Sequence, residues 1–132
     1  MAAMILHILR RNEWELALRR GSYRPPSLET EGFIHCSTID QAINTANLLF
    51  RGAPDLLLLG IDERRLVATL KFEAPATAGD ARPSARFPHI YGALNLDAVI
   101  DTVKFRCDAD GSFQLPARIR EFGIGRISRG DS

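Results

Sequence analysis

Glu31-Gly32-Phe33-Ile34-His35-Cys36-Ser37 reads as a short strand that runs into a helix start at Ser37 or Thr38. Side chains alternate across a strand, so Phe33, His35 and Ser37 share one face while Ile34 and Cys36 share the other. One face is therefore apolar and ready for a core. The opposite face carries a histidine and a hydroxyl. Gln41, three residues after Thr38, completes a helix-start signal. Ala42, Ile43, Ala46, Leu49 and Phe50 then follow at helical spacing as a buried stripe.

Working outward from this stretch, residues 4–9 form an apolar, strand-length run. Asn12 with Glu15 signals a first helix, carried by Trp14, Ala17 and Leu18 and closed at Gly21. Residues 22–27, with Pro25-Pro26, read as an irregular, partly extended link. On the far side, 56–61 is a buried strand, 62–65 a turn and 67–73 another strand. Residues 74–86, rich in Ala, Gly, Pro and Asp, form a loop. Strand character returns at 89–91, and 95–98 reads as one helical turn. Residues 99–106 and 113–115 are expected to pair as a hairpin around Asp108-Ala109-Asp110-Gly111. The order is β-α-β-α, then mostly strand. It predicts an α+β fold with mixed or antiparallel split sheets and two early helices.

The chain of 132 residues suits one domain spanning 1–132, with a tail at 117–132 that docks loosely or frays. A formal net charge of +1 provides no global field for nucleic acid or anionic membrane. Cys36 and Cys107 are the only cysteines and make no metal or redox motif; Cys36 reads as a small buried residue. The N-terminus has no charged leader before a long apolar segment, and the run at 56–61 is too short to span a bilayer. A cytoplasmic location is expected.

The chemistry-bearing residues are concentrated around three histidines. His35 and Ser37 share a face, His89 and Tyr91 share another, and His7 lies with Ile5 and Leu9. If the strands are neighbours, His7, His35, Ser37, His89 and Tyr91 converge, with Glu73 at a strand end and Glu31 before β-structure as carboxylates. Each has a plainer reading. His7 suits a core histidine satisfied by backbone, Ser37 a helix cap, Glu73 a surface charge, and Trp14 a core ring rather than a pocket wall beside Tyr23. The histidines lack the local spacing of a metal site, so no metal is expected. Phosphate-loop, dinucleotide, nucleophile-elbow and zinc-protease motifs are absent.

Residues 31–37, Leu56-Leu57-Leu58-Leu59 before Ile61-Asp62, Lys71-Phe72-Glu73, and Phe87-Pro88-His89-Ile90-Tyr91-Gly92 together resemble a mainly bacterial family known as domain of unknown function 952. The likeness covers residues 4–115. That family resembles the ADP-ribosyltransferase fold, in which split sheets hold NAD in a cleft. The resemblance implies His7 as the ribose-holding residue and Ser37, with His35, as the second element. It also implies a later catalytic glutamate. Here Glu73 precedes the His89 strand instead of following it.

Two functions follow. The first is an enzyme acting on NAD or a nucleotide-like ligand, either ADP-ribosyltransferase-like or a nucleotide-processing transferase or hydrolase. Glu73, His35 and His89 would be catalytic, and His7, Ser37 and Tyr91 would bind the ligand. The second is a non-catalytic module that binds a small ligand on the same scaffold.

Overall fold

The computed structural model describes residues 4–75 and 85–121. β1 (Met4–Arg10) leads into α1 (Arg11–Arg20), then β2 (Ser22–Tyr23), α2 (Ser27–Thr30), β3 (Ile34–His35) and α3 (Ala42–Leu49). Mostly strand follows: β4 (Leu56–Asp62), β5 (Thr69–Glu73), β6 (Phe87–Tyr91), β7 (Leu94–Asn95) and β8 (Val99–Phe105). Single 3₁₀ turns occupy Glu63–Arg65 and Leu96–Ala98, and a last helical turn covers 117–121.

The strands form sheets in the orders β1-β4-β8 and β3-β6-β5, with a small β2-β7 pair. Every pairing among the described residues is antiparallel. The α+β expectation therefore resolves to its antiparallel form. The two early helices are joined by the single turn of α2 and the turn at 117–121.

β4 is the central strand of its sheet, and all seven of its residues are buried. Its leucine run shows no polar alternation because both faces are covered. Leu57, Leu59 and Ile61 join Ile5, Leu9, Ile34 and Ile90 in one core. Leu56 and Leu58 join Met4, Leu6, Phe105 and Phe113 in the other. The face of β3 and β6 that carries Ile34, Cys36 and Ile90 belongs to the first core. Their other face is left for the histidines.

The helix signals work largely as chemistry dictates. Glu13 Oε1 accepts the Arg10 N–H at 3.0 Å, so the cap sits two residues earlier than Asn12. Gly21 closes α1 at φ 84°, a left-handed conformation that glycine adopts without steric cost. Thr38, not Ser37, starts the turn into α3. Its N–H donates to Gln41 Oε1 at 3.0 Å, and its carbonyl accepts from Gln41 and Ala42.

One expectation is corrected. Residues 113–115 form no hairpin with β8. The turn at 108–112 closes on itself, and the Phe113 N–H donates to Asn47 Oδ1 at 2.7 Å, which draws the segment onto α3. The extended part of 22–27 is Ser22-Tyr23, which pairs with Asn95 and Leu94, and Ser27 opens α2. Of the two readings of the tail, docking holds at its start, where Ile119 is fully buried in the second core. Most of the expected 74–86 loop, residues 76–84, lies outside the described residues, as do 122–132.

Ile119→Ala is expected to destabilise the protein by about 2–5 kcal/mol in a denaturant melt, the usual cost of deleting a buried isoleucine side chain. A loss below about 0.5 kcal/mol would show that the 117–121 turn does not dock.

Candidate functional site

The sheets β1-β4-β8 and β3-β6-β5 meet at one point. Leu6 N–H donates to the Ser37 carbonyl at 2.7 Å, and Ser37 N–H to the Leu6 carbonyl at 2.8 Å. Beside that bridge lies His7, 8% exposed. Its Nδ1 lies 2.6 Å from the His35 carbonyl and its Nε2 2.8 Å from the Tyr23 hydroxyl. A carbonyl only accepts, so Nδ1–H donates to it. Burial pushes the His7 pKa down from 6.5 to about 4, outweighing the backbone hydrogen bond that raises it. The ring is therefore neutral at pH 7, and Nε2 accepts from the Tyr23 hydroxyl. Burial in turn raises the Tyr23 pKa, so that hydroxyl keeps its proton. Both nitrogens of His7 are committed to the protein. His7 thus acts as a strut joining β1, β2 and β3, the plainer reading of this histidine, and its ring also borders the cavity described below.

The remaining candidates gather on the exposed face of β3-β6-β5. His35 and His89 are paired directly across the ladder, and Lys71 lies opposite His89 on the other side. Phe33 is the hub of this face. It stacks on His89 with centroids 4.0 Å apart and tilts against His35 at 4.8 Å and Tyr91 at 5.3 Å. Glu73 Oε1 receives the Tyr91 hydroxyl at 2.6 Å and lies 2.8 Å from His89 Nδ1. The bond from Tyr91 first, then that from His89, lowers the Glu73 pKa, so it is a carboxylate at neutral pH. The same bond raises the Tyr91 pKa. Glu31 makes a second pair, its Oε2 2.7 Å from His35 Nε2. The geometry that places it there is local: α2 ends at Thr30, and Gly32 turns the chain back into β3 at φ 91°.

A cavity of about 240 Å³ opens where the two sheets diverge. His35, Ser37 and His89 give it one wall, β1 another through Leu6 and Ile8, and α3 a third through Thr45, Leu48 and Leu49. Phe87 and Pro75 also border it. Its size falls below the roughly 300–1,000 Å³ expected for a drug-sized ligand. Among the described residues, neither Lys nor Arg lines it. Tyr91 and Glu73 do not line it; they stand behind His89 and hold it. Tyr23 instead borders a separate hollow with Glu13, Arg20 and Arg24, and Trp14 packs on the first core. Cys36 points into that core, and burial pushes its thiol pKa up, which excludes it as a ready nucleophile. Among the described residues no group of three or more His, Cys, Asp or Glu side chains is placed to hold a metal ion.

Sequence reasoning did not find the α3 wall or the hub role of Phe33. A signal for the wall was present: Leu48-Leu49-Phe50 is too wide an apolar run for one helix stripe, and Leu48 and Leu49 remain 49% and 47% exposed at the cavity.

The sequence profile of the family described as protein of unknown function (DUF952) matches residues 8–102. The chain belongs to the DUF952 family. The match is narrower than the expected 4–115. It takes in His35, Ser37, Glu73, His89 and Tyr91 and begins one residue after His7. Among solved structures, the crystal structure of protein CC0527 from Caulobacter crescentus is similar, with 36% identity and a TM-score of 0.76. That alignment covers 89% of this chain and 98% of that one. The solution NMR structure of CC0527 is similar at 38% identity and a TM-score of 0.71, covering 85% and 92%. No curated protein matches this sequence. The expected likeness to ADP-ribosyltransferases finds no counterpart among these relatives. No helix among the described residues is long and apolar enough to cross a membrane.

The His7 strut generates a pH dependence of defined sign. The unfolded chain protonates His7 near its ordinary pKa of 6.5, whereas the folded protein does so only near 4. Its contribution is complete above pH 6.5 and is lost as pH falls through this window, by about 2 kcal/mol between pH 7.5 and pH 5. His7→Phe should be less stable at pH 7.5, since it strands the His35 carbonyl and the Tyr23 hydroxyl, and should have a flatter profile over the same range. Parallel slopes for the two proteins in urea melts would contradict this assignment.

Proposed function

We propose that this DUF952 protein binds a small, uncharged, planar ring of the nucleobase or nicotinamide kind in the split-sheet cleft. The observation that carries the reading is the character of the cavity: apolar walls, a polar end formed by Ser37, His35 and His89, and, among the described residues, no Lys or Arg in its lining. A phosphate or pyrophosphate needs positive charge or convergent N–H donors where it is buried. A flat neutral ring instead needs apolar faces and a few edge contacts. The volume of about 240 Å³ suits one ring system and is small for a whole dinucleotide.

His89 is the group that reads the ring edge. Glu73 holds its Nδ1 and Phe33 stacks on its face, which fixes the imidazole and leaves Nε2 without a hydrogen-bond partner among the described residues. The nucleotide-like ligand anticipated from the sequence is retained here through its base alone. The likeness to ADP-ribosyltransferases is retained only as a cleft between two small sheets.

Thermal shift with free adenine, hypoxanthine, uracil and nicotinamide tests the reading. At least one should raise the melting temperature, reaching about 2.7 kcal/mol of stabilisation at a hundredfold excess over Kd. Ser37→Ala and His89→Gln should each weaken that ligand tenfold or more; Ser37→Ala should leave the apo melting point nearly unchanged, whereas His89→Gln also loses the stack on Phe33 and lowers it. Stabilisation by pyrophosphate and by none of the rings would contradict it.

A further inference from the structure

The cleft carries two carboxylate-held imidazoles. His35 and His89 face each other across the β3–β6 ladder, with ring centroids 5.6 Å apart and edge to face. Both line the cavity. Glu73 lies 2.8 Å from His89 Nδ1, and Glu31 lies 2.7 Å from His35 Nε2. The second nitrogen of each ring has no hydrogen-bond partner among the described residues. The two differ in depth. The His89 side chain is 3% exposed, whereas those of His35 and Glu31 are 38% and 41% exposed. One imidazole is therefore sealed inside and the other stands at the mouth in contact with water. A ring that fills the cavity leaves whatever is attached to it at that mouth, beside His35.

We propose that the protein hydrolyses the bond between such a ring and a sugar, the substrate class being an uncharged N-ribosyl heterocycle, with His35 as base and His89 as acid. This rests on the ring-binding reading above. In the step, the water oxygen bonds to the anomeric carbon and His35 takes the water proton. The carbon–nitrogen bond breaks, its electron pair passes into the ring, and protonated His89 delivers a proton to a nitrogen on the ring's buried edge. One water is consumed, and free ribose and the neutral base leave. His35 returns its proton to solvent, and His89 recovers one. Glu31, 2.7 Å from His35 Nε2, offsets the positive charge that His35 gains when it takes the proton. A pair of positioned groups is needed because attack and departure occur at different atoms, and each transfer is worth about 10²–10⁴ in rate.

The full chain is incubated with adenosine, inosine and uridine, and release of the free base is followed by chromatography. Release is expected from at least one of them. His35→Ala should lower kcat by about 100-fold or more with KM within about threefold, because the ring contacts survive. Added imidazole should restore part of that loss in His35→Ala, whose site is open to solvent, and none in His89→Ala, whose site is closed. A protein that binds the free bases but releases none from the nucleosides overturns this proposal and leaves the ring-binding reading standing. One that binds neither overturns both. A release rate that His35→Ala leaves within twofold, or that imidazole does not restore, also overturns it.

Discussion

A neutral imidazole buried between three strands holds this structure in its working shape. His7 donates to the His35 carbonyl and accepts from the Tyr23 hydroxyl, next to the double hydrogen bond between Leu6 and Ser37. Among the described residues, those few polar contacts are the β-type splice between the two larger sheets. On one side of them the strands are zipped; on the other they part, and the cleft is the gap. A charged imidazole here would leave the Tyr23 hydroxyl without its acceptor inside a dry core, which is why burial drives the ring to stay neutral. His35 is bound to the same strut through its own carbonyl, so the wall of the cleft and the splice are one mechanical unit.

The chemistry of the site follows from sheet geometry. Antiparallel pairing of β3 with β6 and of β6 with β5 puts Ile34 and Ile90 into the core, and the same alternation leaves Phe33, His35, His89 and Tyr91 together outside it. Phe33 supplies an apolar floor against which three rings pack. Glu73 and Glu31 then orient the two histidines from opposite edges. The result is a polar end of fixed orientation on an otherwise apolar cavity, with charge kept behind the wall and not in it.

Much of this was legible in the chain. The period-two alternation in 31–37 and 89–91 correctly placed His35, Ser37, His89 and Tyr91 on shared faces, and the unbroken leucine run of β4 marked a strand buried on both sides. What was not legible depends on distance in sequence. His7 looks like any apolar-strand histidine until its partners, at positions 35 and 23, are known. Residues 113–115 have strand-like composition, but the side chain of Asn47 captures the Phe113 N–H before β8 can. Ile119 lies beyond the family match, and only its burial shows that the second core needs it. Tyr91 and Glu73 read as lining residues but act one layer back, because their diagonal position on the sheet directs them at each other and at His89.

The account stands or falls on where a ring sits. The most direct measurement is a crystal structure of the protein soaked with the ring that stabilises it most. We expect flat density in the cavity between the α3 wall and β3-β6, with one edge within hydrogen-bond distance of His89 Nε2 and Ser37 Oγ and with His7 unmoved. A ring bound in the hollow beside Tyr23, Arg20 and Arg24, or one that turns its edge away from His89, would contradict it.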